Sequence, residues 1–114
     1  MKLFRIFAAL AALAIAPGTR ANTPHLITIS GTGAVVQVST TDQQASTIQF
    51  TAPAANTGIA RIGDASVSSS VGEQLAAGSG QFFPPRAPGA YSLNTWYAYV
   101  ANGDKLIVLW TDVQ

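Results

Sequence analysis

Residues 95–100 read TWYAYV and residues 106–111 read LIVLWT, and these two runs decide the fold class. Both are rich in β-branched and aromatic residues, which favour strands. The segment between them contains Asn102-Gly103-Asp104, and Asn-Gly between two such runs is typical of a tight hairpin turn. We therefore predict a turn with positive φ that joins strands near 95–100 and 106–111, paired antiparallel with each other.

Short β-type runs of the same kind precede this pair along the chain. They are separated by Gly, Pro, Asn and Asp, and they lie at 26–29, 34–39, 46–51, 59–62, 67–75 and 81–83. Beyond the first 21 residues, no window keeps the 3.6-residue helical period over ten or more positions. We therefore predict an all-β chain of seven or eight strands that form a single small antiparallel β-sandwich, or jelly-roll-like, domain.

The last predicted strand is apolar on both faces. Leu106, Val108 and Trp110 face one way, whereas Ile107 and Leu109 face the other. A strand of a small sandwich normally has one wet face, so the second apolar face needs a cover: a loop, the proline-rich segment 84–88 or another subunit. Of these we favour another subunit, and the candidate contact residues are Tyr97, Tyr99, Ile107 and Leu109.

The first 21 residues have the layout of a secretory signal peptide. Lys2 and Arg5 precede the apolar run IFAALAALAIA at 6–16, and Thr19-Arg20-Ala21 supplies small residues around a cleavage point. We expect a helical signal segment, 1–21, and an exported domain, 22–114, in the periplasm or outside the cell. An uncleaved anchor is the alternative, but the 14 residues from Leu3 to Ala16, with Arg5 among them, would span only about 21 Å of a ~30 Å hydrocarbon core.

Charge and cysteine content limit the partners of the exported domain. Residues 22–114 contain three basic and five acidic side chains, a net charge of −2. Such a sparse, slightly acidic surface disfavours nucleic acid and anionic membranes as partners, so that a membrane contact is expected only through an uncleaved signal. The chain has no cysteine, which excludes disulfides, and a domain of this size then depends on its own core or on partner subunits.

No residue pattern predicts an enzyme or a cofactor. A single histidine, His25, near the expected mature N-terminus favours a solvated end residue over a zinc ligand. Gly31-Thr-Gly33 lacks the third glycine and the helix of a dinucleotide site, and the serines at 66 and 68–70 lack a hydrolase context. Most of the acidic residues lie beside turn residues, and we expect their carboxylates to accept hydrogen bonds from the backbone of those turns. The remaining aromatic residues have two possible roles: a platform that binds carbohydrate or protein, or packing in the core and between subunits. They are Tyr91, Trp96, Tyr97, Tyr99 and Trp110.

A series of turn and strand motifs begins at Asn56. In order they are Asn56-Thr-Gly58, Ala60-Arg-Ile-Gly-Asp64, Ser66-Val-Ser68, Gly72, Leu75-Ala-Ala-Gly78, Gln81-Phe-Phe-Pro-Pro85, Tyr91-Ser-Leu93, Trp96-Tyr-Ala-Tyr99 and Gly103-Asp104 with Leu106 to Leu109. This order resembles small β-sandwich virion proteins of bacteriophages, of the decoration or fibre type. The resemblance extends over 55 residues, from Asn56 to Trp110.

The resemblance implies a non-enzymatic structural subunit that self-assembles, as a trimer for example, and contacts other virion proteins. Two features depart from the family pattern: Ala77 stands where proline is common, and a signal peptide is unusual for tailed-phage structural proteins. Virion assembly through a membrane, or a prophage-derived domain used by a bacterium, would accommodate the signal. The alternative function is a bacterial periplasmic or extracellular binding module whose aromatic residues contact glycans or proteins.

Export should produce a chain that begins at Asn22, because the Thr-Arg-Ala sequence before it suits signal peptidase. Intact-mass measurement of the protein from its native source tests this expectation. A full-length chain that begins at Met1 and stays in the membrane fraction would show that the segment is an anchor.

Overall fold

The computed structural model describes residues 23–86 and 89–113, and within them the chain forms two antiparallel β-sheets, as predicted. The strands are β1 (Pro24–Ser30), β2 (Val35–Gln37), β3 (Gln44–Thr51), β4 (Ala60–Gly63), β5 (Glu73–Leu75), β6 (Gly80–Phe83), β7 (Tyr91–Ser92), β8 (Tyr97–Tyr99) and β9 (Lys105–Asp112). A 3₁₀ turn, Leu93–Thr95, precedes β8. The predicted signal segment lies outside the described residues, among which no helix is long and apolar enough to cross a membrane.

The two sheets enclose one core. The first sheet has the order β1-β9-β3-β6, with β7 also paired to β3, and the second has the order β2-β8-β4-β5. Alternate residues of the strands point between the sheets, and the largest fully buried side chains are Ile48, Phe50, Ile62, Leu93, Val100, Leu106 and Val108. Burial of this alternating set is the main favourable contribution to folding, since the chain has no disulfide.

The turn at Asn102-Gly103 is confirmed, but the predicted strand pairing across it is wrong. Asp104 N donates to Ala101 O at 3.0 Å, and Gly103 has φ +90°. Among the described residues only glycines have positive φ, so the turn is of type II instead of the type I′ that suits hairpins. β8 pairs with β2 and β4 in the second sheet, whereas β9 pairs with β1 and β3 in the first.

Three connections that pass between the sheets meet around Asp104, which is only 5% exposed. They are the β1–β2, β3–β4 and β8–β9 connections, and we call this meeting point the Asp104 junction. One carboxylate oxygen, Oδ1, accepts hydrogen bonds from the Thr57 N–H at 2.9 Å and the Thr57 hydroxyl at 3.2 Å. The other, Oδ2, accepts from the Gly58 N–H at 2.8 Å. The side chain of one turn therefore fixes the loop that follows β3.

Hydrogen bonds to the backbone of Asp104 and Lys105 complete the Asp104 junction. The Asn56 side chain donates to Lys105 O at 2.8 Å and accepts from Lys105 N at 2.9 Å, so that its amide takes the place of a neighbouring strand. From the β1–β2 connection, Gly31 N donates to Asp104 O at 2.8 Å. A Cβ atom at Gly31 would lie 1.9 Å from Ala101 O, and only glycine fits at this distance.

The hydrogen bonds at the Asp104 junction favour the ionised carboxylate. The Thr57 N–H, then the Gly58 N–H, hold the pKa of Asp104 below the ordinary aspartate value, and the Thr57 hydroxyl adds to this effect against the opposing effect of burial. A carboxyl whose pKa is lower in the folded than in the unfolded chain stabilises the fold above its unfolded pKa of about 3.9. This stabilisation is lost as the pH falls through the folded pKa.

Asp104→Asn should lower the stability of the protein at neutral pH and flatten its decline with acidity. The amide removes the charge and one of the acceptors that the Thr57 and Gly58 N–H groups use. Urea unfolding between pH 7 and pH 3 measures both effects. Asp64→Asn is the control, since the bonds that Asp64 accepts from Ser66 are local to one exposed loop, and it should cost less stability at neutral pH. A wild-type pH profile in Asp104→Asn would contradict the role of the junction.

Candidate functional site

The outer face of the first sheet presents a row of exposed apolar side chains. Across the strands, Leu26 lies beside Leu109, Leu109 beside Gln49, and Gln49 beside Phe82. Leu26 is 64% exposed, Phe82 52% and Leu109 39%. The row extends over β1, β9, β3 and β6, so it is formed by segments that are far apart in sequence.

The rows on either side are uncharged as well. Ile107 lies between Thr28 and Thr51, and Thr111 lies between Pro24 and Thr47. The hydroxyls of Thr47 and Thr111 are 2.8 Å apart, so these polar groups satisfy each other at the surface. We call the three rows the neutral face; their residues are Pro24, Leu26, Thr28, Thr47, Gln49, Thr51, Phe82, Ile107, Leu109 and Thr111. Within the described strands of the first sheet, the charged residues nearest to these rows along β9 are Lys105 and Asp112, at its two ends.

The four predicted contact residues do not form one surface. Leu109 is exposed and Ile107 half-buried on the neutral face, whereas Tyr97 and Tyr99 lie half-buried on the outer face of the second sheet. The reason is that β8 and β9 do not form the predicted hairpin. They lie in different sheets, and each strand turns its second face away from the shared core. One contact can therefore include either the two tyrosines or Ile107 and Leu109.

The outer face of the second sheet is less open than the neutral face. Tyr99 lies between Val35 and Arg61, and Arg61 binds its own chain. Its Nε donates to Ser69 O at 3.0 Å and its Nη1 to Gly72 O at 3.3 Å. Arg61 therefore fixes the loop between β4 and β5, which gives this basic side chain a structural role.

A second candidate site is an open cleft of about 490 Å³ beside the 3₁₀ turn. We call it the aromatic cleft; it is lined by Gly63, Asp64, Phe83, Arg86, Tyr91, Ser92, Thr95 and Trp96. The ring centroids of Phe83 and Trp96 are 4.9 Å apart, and those of Phe83 and Tyr91 are 6.1 Å apart. The Arg86 guanidinium lies 5.1 Å from the centroid of the Tyr91 ring, within the range of a cation–π contact.

Charged groups of both signs border the aromatic cleft. The Ser66 hydroxyl, then the Ser66 N–H, hold the pKa of Asp64 below its ordinary value, so that Asp64 stays anionic near neutral pH. Arg86 supplies the cation on the other side. A cleft with apolar rings and a carboxylate and a guanidinium at its rim can hold a small polar molecule that has one apolar face. Among the described residues, no three His, Asp or Glu side chains are grouped to hold a metal ion.

The remaining aromatic residues are divided among three places. Tyr91 and Trp96 line the aromatic cleft, Tyr97 and Tyr99 lie on the second sheet, and Trp110 is buried at 6% exposure. They therefore do not form a single platform.

His25 is more constrained than the expected solvated end residue. Its ring stacks on Trp110 with centroids 4.4 Å apart, and its Nε2 lies 3.0 Å from the Asp112 carboxylate. These contacts fasten the start of β1 to the end of β9.

Sequence reasoning missed Leu26 and Phe82 as surface residues. Phe82 and Phe83 are adjacent in a strand, so one of them has to face outward, and this pattern could have predicted an exposed aromatic residue. Leu26 precedes Ile27 in the same way. The alternation does not, however, show that both lie in one row with Leu109, because that depends on the strand order.

No family model, curated protein or solved structure matches this chain. The two candidate sites are therefore interpreted from their own chemistry.

Proposed function

We propose that this chain is a non-enzymatic structural subunit that assembles with copies of itself through the neutral face. The observation that supports this proposal most directly is the row of Leu26, Leu109 and Phe82, three large apolar side chains exposed on one uncharged sheet face. Exposed apolar side chains that lie singly are ordinary, but here Leu26 and Leu109 are neighbours and Phe82 lies in the same row beyond Gln49, and such a group on a neutral surface is typical of an interaction site.

A second copy of the chain is the occupant that this surface fits best. The neutral face has no charge with which to select a charged partner, and it does not repel an identical surface. Two such faces related by a two-fold axis can pack together with the same residues on both sides. Each partly exposed Leu or Phe that becomes buried contributes about 1 kcal/mol or more.

The resemblance to phage virion proteins supports the structural role within this proposal. Several motifs on which this resemblance is based have structural roles in the fold. Asn56-Thr-Gly58 and Gly103-Asp104 contact each other at the Asp104 junction. Arg61, from the Arg-Ile-Gly-Asp motif, fixes the loop that contains Ser69. Motifs with framework roles suit a protein whose function is to keep a stable shape in an assembly, such as a decoration or fibre subunit exported to the site of particle assembly.

Leu109→Asp should reduce the number of copies in each particle, because it places a charge in the centre of each neutral face. Light scattering on the exported protein, at micromolar concentration, measures the change. Val71→Asp is the matched control, since Val71 is 49% exposed but lies in the loop between β4 and β5. A monomeric wild-type protein, or an assembly that Leu109→Asp leaves intact, would contradict the neutral face as the contact.

The aromatic cleft favours a second candidate function, an exported binding module for glycans. A sugar ring has an apolar face that stacks on aromatic side chains and hydroxyls that bind charged groups, and the cleft offers both through Trp96 and Arg86. This candidate needs no contact between copies.

Under the second candidate, Arg86→Ala should weaken oligosaccharide binding by about tenfold, the loss expected for one charged hydrogen bond. Tryptophan fluorescence can follow the titration, because Trp96 lines the cleft. Arg61→Ala is the control, since Arg61 lies outside it. No binding by the wild type would leave the structural subunit as the better proposal, and detection of many copies in purified virus particles would support that proposal independently.

A further inference from the structure

The first sheet ends at β1, and β1 has a partner on one side only. It pairs with β9 along all of its seven residues, and in the described part of the chain nothing pairs with its other side. The other strands at sheet edges are shorter: β6 has four residues, and β2 and β5 have three each. Of the features by which proteins usually block such edges, β1 has a proline only at its first residue, Pro24, and it has no Lys, Arg, Asp or Glu and no bulge.

The register shows which backbone groups of β1 face away from β9. At the two ends of the pairing, Asp112 N donates to Thr23 O and Gly31 N donates to Asp104 O. Odd-numbered residues therefore direct their N–H and C=O groups towards β9, and even-numbered residues direct theirs away, since the direction alternates along a strand. The free edge thus presents the N–H and C=O groups of Leu26, Thr28 and Ser30 and the C=O of Pro24.

We propose that two copies of this chain join edge to edge through β1, antiparallel and about a two-fold axis at Thr28. In this register Thr28 lies opposite Thr28 of the second copy, and Leu26 lies opposite Ser30 of the second copy. The Leu26, Thr28 and Ser30 N–H groups of each copy donate to the facing C=O groups of the other. All the free donors and acceptors of Leu26, Thr28 and Ser30 are satisfied, so the edge is complementary to itself over these residues, and only the C=O of Pro24 has no partner in β1 of the second copy.

The side chains fit the same register. Ile27 lies opposite Ile29 of the second copy, in a pair without hydrogen bonds, where Cα atoms approach to about 4.5 Å and β-branched side chains pack well. Ile27 is only half-buried in one copy, and this contact would cover it. His25 lies opposite Gly31, which leaves room for the imidazole. No two like charges face each other across the edge.

A register shifted by one pairing step is less favourable. A step that centres the pairing on Ile27 would place His25 opposite Ile29 of the second copy, without the room that Gly31 leaves, and would replace two Ile27–Ile29 pairs with one Ile27–Ile27 pair. A step the other way would place Leu26 opposite Thr32, beyond the end of β1, and would lose hydrogen bonds, so the register about Thr28 fits this edge best.

Edge pairing would also enlarge the neutral face. Four strands about 4.8 Å apart, with three rows of alternate residues, give a footprint of roughly 400 Å² per copy. Joining two sheets at β1 places both neutral faces side by side, about 800 Å² in total, which is the area per partner of a standard protein interface. The edge contact does not rest on the proposed function, but the two contacts together would give a closed assembly of four copies.

Thr28→Cys tests the edge contact directly, because the natural chain has no cysteine. The two introduced side chains would face each other at the two-fold axis with Cβ atoms about 5 Å apart, and a short bis-maleimide should link them in high yield. Leu109→Asp is included in the same chain so that neutral-face packing cannot bring the thiols together. Thr40→Cys in that background is the control, since Thr40 is exposed outside the strands. Equal linking of the two variants would overturn the proposal.

Thr28→Pro tests the same contact by removing the central donor without removing a bond to β9. Light scattering on exported protein should give four copies for wild type, two for Thr28→Pro, two for Leu109→Asp and one for the double variant. If the Leu109→Asp protein is monomeric, the edge contact is contradicted, and the neutral face remains as the contact between copies. A Thr28→Pro protein that is monomeric, with Leu109→Asp still dimeric, would instead reject the neutral face. If Thr28→Pro fails to fold, the cross-linking result decides.

Discussion

The hydrogen bonds accepted by the Asp104 carboxylate are the constraint on which the rest of this structure depends. Two backbone N–H groups and one hydroxyl, all from Thr57 and Gly58, point at a side chain that is 5% exposed. They join the loop after β3 to the turn before β9, and Gly31 joins the β1–β2 connection to the same turn. A chain without disulfides thus holds three crossings between its sheets together with polar contacts at one point.

This junction determines which surfaces the protein presents. Because the chain passes from the second sheet to the first at Asp104, β9 enters the first sheet between β1 and β3. Leu109 is thereby placed beside Leu26 and Gln49, and the neutral face forms from strands near both ends of the described chain. If β8 and β9 had formed a hairpin in one sheet, β9 would not lie between β1 and β3, and the neutral face would not exist in this form.

The two candidate functions use different parts of the same framework. The neutral face is broad, uncharged and apolar, and it suits contact with a large, flat surface such as a second copy. The aromatic cleft is concave and has Asp64 and Arg86 at its rim, and it suits a small polar molecule. A structural subunit requires the neutral face and can function without a ligand in the aromatic cleft. A binding module requires only the aromatic cleft. The edge of β1 suits the structural subunit, because pairing there extends the neutral face in its own plane.

The sequence by itself determined the local features of this protein. Alternating β-branched and aromatic residues specified short strands, two apolar faces specified the inward and outward residues of the last strand, and Asn102-Gly103 specified a turn with positive φ. These follow from period and backbone sterics, which act over a few neighbouring residues.

Only the tertiary structure decided which strands share a sheet. The type II turn at Gly103, the acceptors of Asp104 and the close approach of Gly31 to Ala101 direct β9 to the opposite sheet, and each involves atoms from distant segments. The separation of Tyr97 and Tyr99 from Ile107 and Leu109, the row formed with Leu26 and Phe82, and the free edge of β1 all result from that choice. Local pattern fixes the direction of a side chain relative to its own strand, but its neighbours across the sheet depend on the strand order.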